Sequence, residues 1–195
     1  MPVTRIVAGA VRGRKLTVPP GSGTRPTSDR VREALFSALD SQLGGFDGVR
    51  VLDLYAGSGA LGLEALSRGA GHALLVESDA RAARAIRANI KSLGVHALAA
   101  VVTTTVEKAL ATPPDAPYHL VVADPPYALP PAELTSVLAA LTRGWLAPGA
   151  VVVVERDRRS EAVAWPPGLV GERHRRYGET LLWYGRSPEA TRQDG

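Results

Sequence analysis

The sequence predicts an α/β protein built on a mainly parallel sheet with helices on both faces. Short apolar segments alternate with segments of helical period between about residues 49 and 155. The apolar segments lack the polar alternation of a half-exposed strand, as expected when helices cover both faces of a parallel sheet. After residue 171, two extended segments flank a turn at 177–179 with no helix between them, so this last pair must be antiparallel.

Each element has a sequence signal of its own. Apolar runs predict five strands, at 49–54, 73–77, 98–102, 119–123 and 150–155. The segments that follow them predict helices at 60–68, 80–93, 106–111 and 134–141. Thr27, Ser28 and Asp29 are capping residues for an earlier helix that ends at Gly44. Residues 4–18 predict a hairpin around a turn at 11–13.

Positive charge is concentrated near the amino terminus. The chain has a net charge of +4, but residues 1–32 hold seven basic side chains against one acid, Asp29, and the remainder is slightly acidic. The seven basic residues are Arg5, Arg12, Arg14, Lys15, Arg25, Arg30 and Arg32. Clustered cations suit phosphate contacts, so we expect these side chains to bind nucleic acid. The alternative is a solvated basic segment.

The composition argues against several other classes of protein. The chain has no cysteine, which excludes disulfides and cysteine-based metal sites. Its four histidines are scattered without ligand spacing, so we expect no metal. The apolar stretches are too short to cross a bilayer, and no signal peptide is evident. We therefore expect a cytoplasmic protein that does not contact membranes, and nothing demands a dimer.

A glycine-rich loop follows the first predicted strand. Gly57, Gly59 and Gly62 have the G-x-G-x-x-G spacing, and Glu77 follows at the distance of a ribose-binding acid. A nicotinamide dinucleotide site is therefore one alternative, and a purely structural turn is another. Asp53 precedes the loop, where it would repel a pyrophosphate but attract a cationic sulfonium ligand. We therefore favour S-adenosylmethionine as the cofactor.

The tetrapeptide Asp124-Pro125-Pro126-Tyr127 follows the fourth predicted strand. Two prolines cannot continue a central strand, so they fix a stiff loop at the edge where ligands of α/β proteins bind. The exocyclic amino nitrogen of a base is a poor nucleophile and needs acceptors for its N–H groups. The Asp124 carboxylate and the Pro125 carbonyl are such acceptors, and Tyr127 offers a ring for stacking. A structural Pro-Pro turn is the alternative.

Four motifs together resemble one family. They are RIVAG with RGR at residues 5–14, TRPTSDRVRE at 24–33, DLYAGSG at 53–59 and DPPY at 124–127. The sequence resembles the bacterial small-subunit rRNA methyltransferase D family over residues 4–186. The resemblance implies a Rossmann-like class I methyltransferase sheet of seven strands, the last antiparallel, with a small amino-terminal hairpin and helix extension. It implies direct in-line methyl transfer to the exocyclic N2 of an extruded guanine in 16S rRNA, conventionally numbered 966.

The resemblance also implies site residues and partners. The catalytic residues would be Asp124, Pro125, Pro126 and Tyr127. The cofactor-binding residues would be Asp53, Tyr55, Ala56, Gly57, Gly59, Glu77 and Ser78, with Thr103 and Thr104 near the adenine. The latter two depart from the Asp or Asn of many relatives. The partner would be 16S rRNA or an assembling small subunit.

Domain organisation and two alternative functions complete the predictions. We expect RNA contact from residues 1–45, a methyltransferase domain at 46–186 and a disordered tail at 187–195. One alternative is a DNA adenine or cytosine amino-methyltransferase, for which 195 residues leave little room for target recognition. The other is a non-catalytic RNA-binding module.

Overall fold

The computed structural model describes residues 4–19 and 27–190, which contain seven strands and five helices. The strands are β1 (Arg50–Leu54), β2 (His72–Glu77), β3 (Ala99–Thr103), β4 (Tyr118–Ala123), β5 (Leu146–Asp157), β6 (Val170–Tyr177) and β7 (Thr180–Arg186). The helices are α1 (Asp29–Leu43), α2 (Ala60–Ser67), α3 (Ala80–Leu93), α4 (Val106–Ala109) and α5 (Pro131–Leu141).

The seven strands form one sheet in the order β3-β2-β1-β4-β5-β7-β6. Strands β1 to β5 are parallel to one another, whereas β7 runs antiparallel to both β5 and β6. The predicted fold class, with its antiparallel last strand, is confirmed. The strand order reverses direction between β1 and β4, and ligands of open α/β sheets bind beyond the carboxyl ends of the strands at such a point.

Two apolar clusters cover the two faces of the sheet. The first contains α1, α2, α3 and the amino-terminal segment, and the second contains α4 and α5. Ile6 and Leu16 of the amino-terminal segment pack into the first cluster together with Leu35 and Phe36 of α1 and with Val153 of β5. The segment therefore shares its core with the sheet, and a domain boundary at residue 45 stays a prediction.

The helix ends show how local sequence fixes the elements that carry the site. The Asp79 carboxylate caps α3 by accepting hydrogen bonds from the backbone N–H groups of Arg81 and Ala82, both at 2.8 Å. Gly94 ends that helix with a φ of 71°, a conformation that glycine adopts without strain. The prediction of residues 80–93 was therefore correct. Helix α5 begins three residues before its predicted start, because Pro131 suits the first turn of a helix.

The connection from β5 to β6 contains no helix between residues 158 and 169. A tryptophan covers the sheet there. Gly171 and Gly185 are paired across β6 and β7, and a Cβ at either position would lie 2.4 Å from the Trp165 ring. Because neither glycine has a Cβ, the indole packs directly on the backbone of both strands. Substitution of either glycine would displace the ring.

Both ends of the chain depart in detail from the predictions. The predicted hairpin forms, but it is short: backbone hydrogen bonds join Leu16 to Thr4 at 2.8 Å and Ile6 to Arg14 at 2.9 Å, and Arg5 and Lys15 form an isolated antiparallel bridge. The tail predicted to be disordered from residue 187 is ordered at its start, because the backbone N–H of Ser187 donates to the Ala150 carbonyl at 2.9 Å and its side chain is buried. Residues 191–195 lie outside the described part of the chain. Within the described ranges, no helix is both long and apolar enough to cross a membrane.

Candidate active site

A cavity of about 660 Å³ opens at the carboxyl ends of β1, β2 and β4. This volume is in the range of small-molecule sites. Of the predicted cofactor residues, the cavity is lined by Asp53, Tyr55, Ala56, Gly57, Glu77 and Ser78. Asp124 and Pro126 of the predicted catalytic loop line the same cavity. The fold therefore brings together two motifs that are separated by more than 60 residues in the sequence.

The glycine loop between β1 and α2 has a fixed and partly strained backbone. Tyr55 has a φ of 58°, which is costly for a bulky residue. Gly57 and Gly59 also have positive φ angles, which glycine tolerates. A Cβ at Gly57 would meet no described atom within 4 Å, so this position faces open space. A Cβ at Gly59 would lie 2.9 Å from Leu75, and Gly59 does not line the cavity, so its role here is packing.

Two carboxylates hold the glycine loop through backbone hydrogen bonds. The Glu77 carboxylate accepts from the N–H groups of Gly57 at 2.7 Å and Asp79 at 2.8 Å. The Asp53 carboxylate accepts from the N–H of Gly62 at 2.8 Å. Burial raises the pKa of Asp53 to about 8 despite this hydrogen bond, and the charge of Glu77 adds to the increase. A cationic ligand in the cavity would favour the ionised form of Asp53.

The amino-terminal segment forms one wall of the cavity through Thr4, Val18 and Pro19. The Asn89 side chain on α3 ties this wall to the glycine loop, because its amide group donates to the carbonyls of both Thr17 and Ser58 at 2.9 Å. From the sequence we expected this segment to contact RNA, and the structure shows that it also lines the cavity. The contact joins residues 72 positions apart, and charge patterning carries no signal for it.

The predicted RNA-binding side chains fall into different environments. The exposed ones are Arg5, Arg12, Arg14, Lys15 and Arg30. Arg25 lies outside the described residues. Arg32 is only 1% exposed, and its guanidinium pairs with Asp29 at 2.6 Å and with buried Glu64 at 3.9 Å. Its predicted contact with RNA phosphates is therefore wrong, because the guanidinium is enclosed by protein and compensates a buried acid.

The residues predicted to lie near adenine do not line the cavity. Thr103 is the last residue of β3, and its hydroxyl accepts a hydrogen bond from Arg87 on α3 at 2.9 Å. Neither Thr103 nor Thr104 is part of the wall, which is formed instead by Thr105, Val106 and Glu107. The part of the chain that lines the cavity thus begins one residue after Thr104, and β3 itself lies one residue later than predicted, at 99–103 instead of 98–102.

The catalytic loop begins where β4 ends. Asp124 lines the cavity, Pro125 is buried, and the Tyr127 ring is 46% exposed. The exposure of such a large ring next to a cavity is what base stacking requires. Arg156 on β5 lies beneath the loop and is only 4% exposed. Its guanidinium donates to the carbonyls of Pro126 at 3.4 Å and Leu129 at 3.2 Å.

Charges around Asp124 make its protonation state sensitive to neighbours. Burial raises the pKa of Asp124 well above its usual value, and the negative charges of Glu155 and Asp53 raise it further. The Arg156 cation acts in the opposite direction. Glu155 is itself buried, and its carboxylate accepts a hydrogen bond from the Thr27 hydroxyl at 2.7 Å. Neither Arg156 nor Glu155 was predicted as a site residue from the sequence. Glu155 was the last residue of the predicted fifth strand, and Arg156 followed it.

Among the described residues, no group of three or more His, Cys, Asp or Glu side chains could hold a metal ion.

The strand order, the acid-flanked glycine loop and the Asp-Pro-Pro-Tyr loop at one cavity define the fold and site of a class I methyltransferase. The family model described as conserved hypothetical protein 95 matches residues 4–186, and the chain belongs to that family.

Curated relatives and solved structures agree with this assignment. The ribosomal RNA small subunit methyltransferase D of Escherichia coli strain K12 is 42% identical over 153 residues, which are 78% of this chain and 74% of that protein. The protein of the same name from Haemophilus influenzae is 36% identical over 156 residues, or 79% of each chain. The structure of a candidate methyltransferase of Escherichia coli, yhhF, has a TM-score of 0.83 at 32% identity and covers 96% of this chain and 99% of its own.

A more distant structure shows the fold alone. It is an RNA methyltransferase from Salinibacter ruber in complex with S-adenosyl-L-homocysteine, at 20% identity and a TM-score of 0.64. The alignment covers 87% of this chain and 98% of that one.

Proposed function

We propose that this protein transfers a methyl group from S-adenosylmethionine to the exocyclic N2 of a guanine in 16S rRNA. The observation that carries the proposal is the meeting of the glycine loop and the Asp124 loop in one cavity with Tyr127 exposed beside it. The rRNA methyltransferases named above support the substrate class, since they are similar over most of their length. The reaction would take place in the bacterial cytoplasm, and its substrate would be 16S rRNA or an assembling small subunit.

The residues around the cavity fit the proposed cofactor. Glu77 would bind the ribose hydroxyls with the lone pairs that its two backbone contacts leave free. Asp53 would lie towards the positively charged methionine part. Thr105, Val106 and Glu107, rather than Thr103 and Thr104, would surround the adenine. When bound, S-adenosylmethionine supplies an electrophilic methyl group.

The catalytic loop would prepare the target nitrogen. The Asp124 carboxylate and the Pro125 carbonyl would accept hydrogen bonds from the two N–H bonds of the guanine amino group, which orients the nitrogen lone pair. Tyr127 would stack on the extruded base and hold it in line. Asp124 would also receive the proton that the amino group loses once the new N–C bond has formed. Its raised pKa suits that role, because a carboxylate with a high pKa is a stronger base.

The test is incubation of the purified protein with radiolabelled S-adenosylmethionine and one of three substrates: unmodified 16S rRNA, small ribosomal subunits, or duplex DNA. Digestion of the product and nucleoside analysis by mass spectrometry identify the methylated base. We expect label only in N2-methylguanosine from one of the two ribosomal substrates. Label in adenine or cytosine of DNA would establish the amino-methyltransferase alternative. Cofactor binding without transfer to any substrate would contradict catalysis.

A further inference from the structure

The edge strand β6 carries a row of exposed arginines far from the basic amino-terminal segment. Strand β6 is last in the described sheet and pairs only with β7. Arg173, Arg175 and Arg176 are all exposed on it, and we call these three residues the arginine edge. Arg173 and Arg175 project on one face, because they are paired with Tyr184 and Leu182 of the core cluster that contains α1.

The charge of the arginine edge is not neutralised by neighbouring acids. Glu172 on the same strand pairs with Arg186 at 2.7 Å, and Glu179 in the following turn pairs with Arg158 at 2.6 Å. None of the three arginines has an acidic partner within the described ranges. Unpaired surface cations concentrate counterions, which are released when a polyanion binds.

One position of this edge is level with the catalytic aspartate across the sheet. The register connects Ala123 of β4 to Val154 of β5, then to Trp183 of β7 and His174 of β6. One residue further along, Asp124 is therefore on the line that passes through Glu155 and Leu182 to Arg175. Three strand spacings of about 4.8 Å separate the two ends of this line, or about 14 Å. A polynucleotide whose base enters the cavity can reach the edge from there.

Part of the edge is already held in place. The Arg173 guanidinium lies over the Tyr184 ring, 4.9 Å from its centroid, and the Arg176 Nε donates to the Gly178 carbonyl at 2.9 Å. Preordered side chains lose less entropy when they bind a phosphate. The exposed hydrogen-bonding row of an edge strand could also accept a peptide strand, but three unpaired arginines in four residues favour a polyanion over a neutral peptide.

We propose that the arginine edge binds backbone phosphates of the RNA that flanks the target nucleotide. This inference rests on the proposed RNA substrate and adds a docking surface on the β6 side of the catalytic loop, separate from the basic amino-terminal segment. RNA bound along the arginine edge can then extend to the cavity, where the target base enters.

The experiment compares the full-length variant R173S/R175S with a charge-matched control, K91S/R143S. Lys91 near the end of α3 and Arg143 just after α5 are exposed cations without an acidic partner among the described residues. The RNA affinity of each protein is measured with unmodified 16S rRNA from about 50 to about 200 mM salt. S-adenosylmethionine binding by calorimetry shows that each variant is folded.

For R173S/R175S we expect the slope of log affinity against log salt to become shallower by about 1.4–1.8, because two phosphate contacts are lost. The control should keep the wild-type slope. An unchanged slope for R173S/R175S, as expected of a strand edge that binds protein, would overturn the proposal. Equal losses in both variants would also overturn it, because they would indicate diffuse attraction. If the wild type binds rRNA with a steep salt slope but never methylates it, the proposed function fails while the docking result stands.

Discussion

The glycine loop and the catalytic loop line the same cavity, but different forces hold them. Neutral backbone N–H groups bonded to the carboxylates of buried Asp53 and half-buried Glu77 fix the glycine loop at distances of 2.7–2.8 Å. The catalytic loop instead depends on longer contacts with the buried Arg156 cation, at 3.2–3.4 Å. Cofactor binding should therefore depend on the fixed backbone of the glycine loop. Methyl transfer should depend on the charges of Arg156, Glu155 and Asp53 around Asp124. Single substitutions in the two loops should therefore separate the affinity for the cofactor from the rate of methyl transfer.

The largest effect is expected from Asp124→Ala. Loss of the carboxylate removes the acceptor that orients the amino group, so single-turnover methyl transfer should slow by about 10²–10³-fold. The affinity for S-adenosylmethionine should stay near the wild-type value, because the glycine loop is untouched. Rapid-quench assays with labelled cofactor measure the rate, and calorimetry measures the affinity. A near-normal rate would refute the catalytic role of Asp124.

Glu77→Ala should produce the opposite pattern. The side chain supports the loop at Gly57 and is proposed to bind ribose, so the Kd for S-adenosylmethionine should rise by about 10- to 100-fold. At saturating cofactor the rate of transfer should remain close to wild type. Equilibrium dialysis with labelled cofactor checks the first expectation. An unchanged Kd in a folded variant would place ribose recognition elsewhere.

Tyr127→Ala should slow methyl transfer by about tenfold and weaken substrate binding, because base stacking contributes ~1–3 kcal/mol. Tyr127→Phe is the matched control, since it keeps the ring and removes only the hydroxyl. We expect it to retain most activity in the same single-turnover assay. A Phe variant as slow as the Ala variant would assign the role to the hydroxyl instead of the ring.

Arg156→Met should slow methyl transfer by about fivefold to tenfold and shift its pH dependence. Activity is expected to rise with pH as Asp124 ionises. Without the nearby cation, the pKa of Asp124 increases further, so the rising limb should move to higher pH. Arg156→Lys keeps the charge but loses the two-pronged contact with Pro126 and Leu129. Its profile should therefore stay in place while its rate falls. A profile unmoved in the Met variant would contradict the electrostatic role.

Asp53→Asn should affect stability in a pH-dependent way. The pKa of Asp53 is raised from 3.8 to about 8 in the folded protein, so the stability associated with its proton is present below pH 4 and is lost as pH rises through 8. Asn mimics the protonated form and can still accept from Gly62. The variant should thus match the wild type at pH 4 and exceed it at pH 9 by several kcal/mol, since a tenfold change in proton affinity corresponds to ~1.4 kcal/mol, and its Tm at pH 9 should be correspondingly higher. Thermal unfolding at both pH values checks this, and an equal Tm at pH 9 would show that Asp53 is not destabilising when ionised.

The sequence was sufficient for features that depend on local chemistry. Helix α3 matched its prediction because a capping aspartate and a terminal glycine bound an amphipathic run. The two loops were found because glycine and proline restrict the backbone wherever they occur. Contacts between distant residues were not predictable in this way. Arg32 cannot be distinguished from exposed Arg30 by its sequence context, and only the fold shows that Arg32 is buried near Glu64.

The same limit applies to the support of the catalytic loop. Arg156 contacts carbonyls that are 27 and 30 residues earlier in the chain, and the pairing of β4 with β5 decides that contact. The offset at Thr103 is a boundary error, since β3 lies one residue later than predicted and the cavity wall begins only at Thr105. The sequence was therefore sufficient to find the two loops that line the cavity. It was not sufficient to find Arg156, which contacts the catalytic loop, or the exact residues of the cavity wall.

The most direct test measures Glu77→Ala and Arg156→Met side by side. For each variant, the Kd for S-adenosylmethionine is compared with the single-turnover rate at saturating cofactor across the pH range. We predict that Glu77→Ala changes the Kd and leaves the rate profile in place, whereas Arg156→Met leaves the Kd in place and moves the rate profile to higher pH. If both variants changed Kd and rate in the same proportion, the two loops would act as one unit, which would contradict the division between cofactor binding and catalysis.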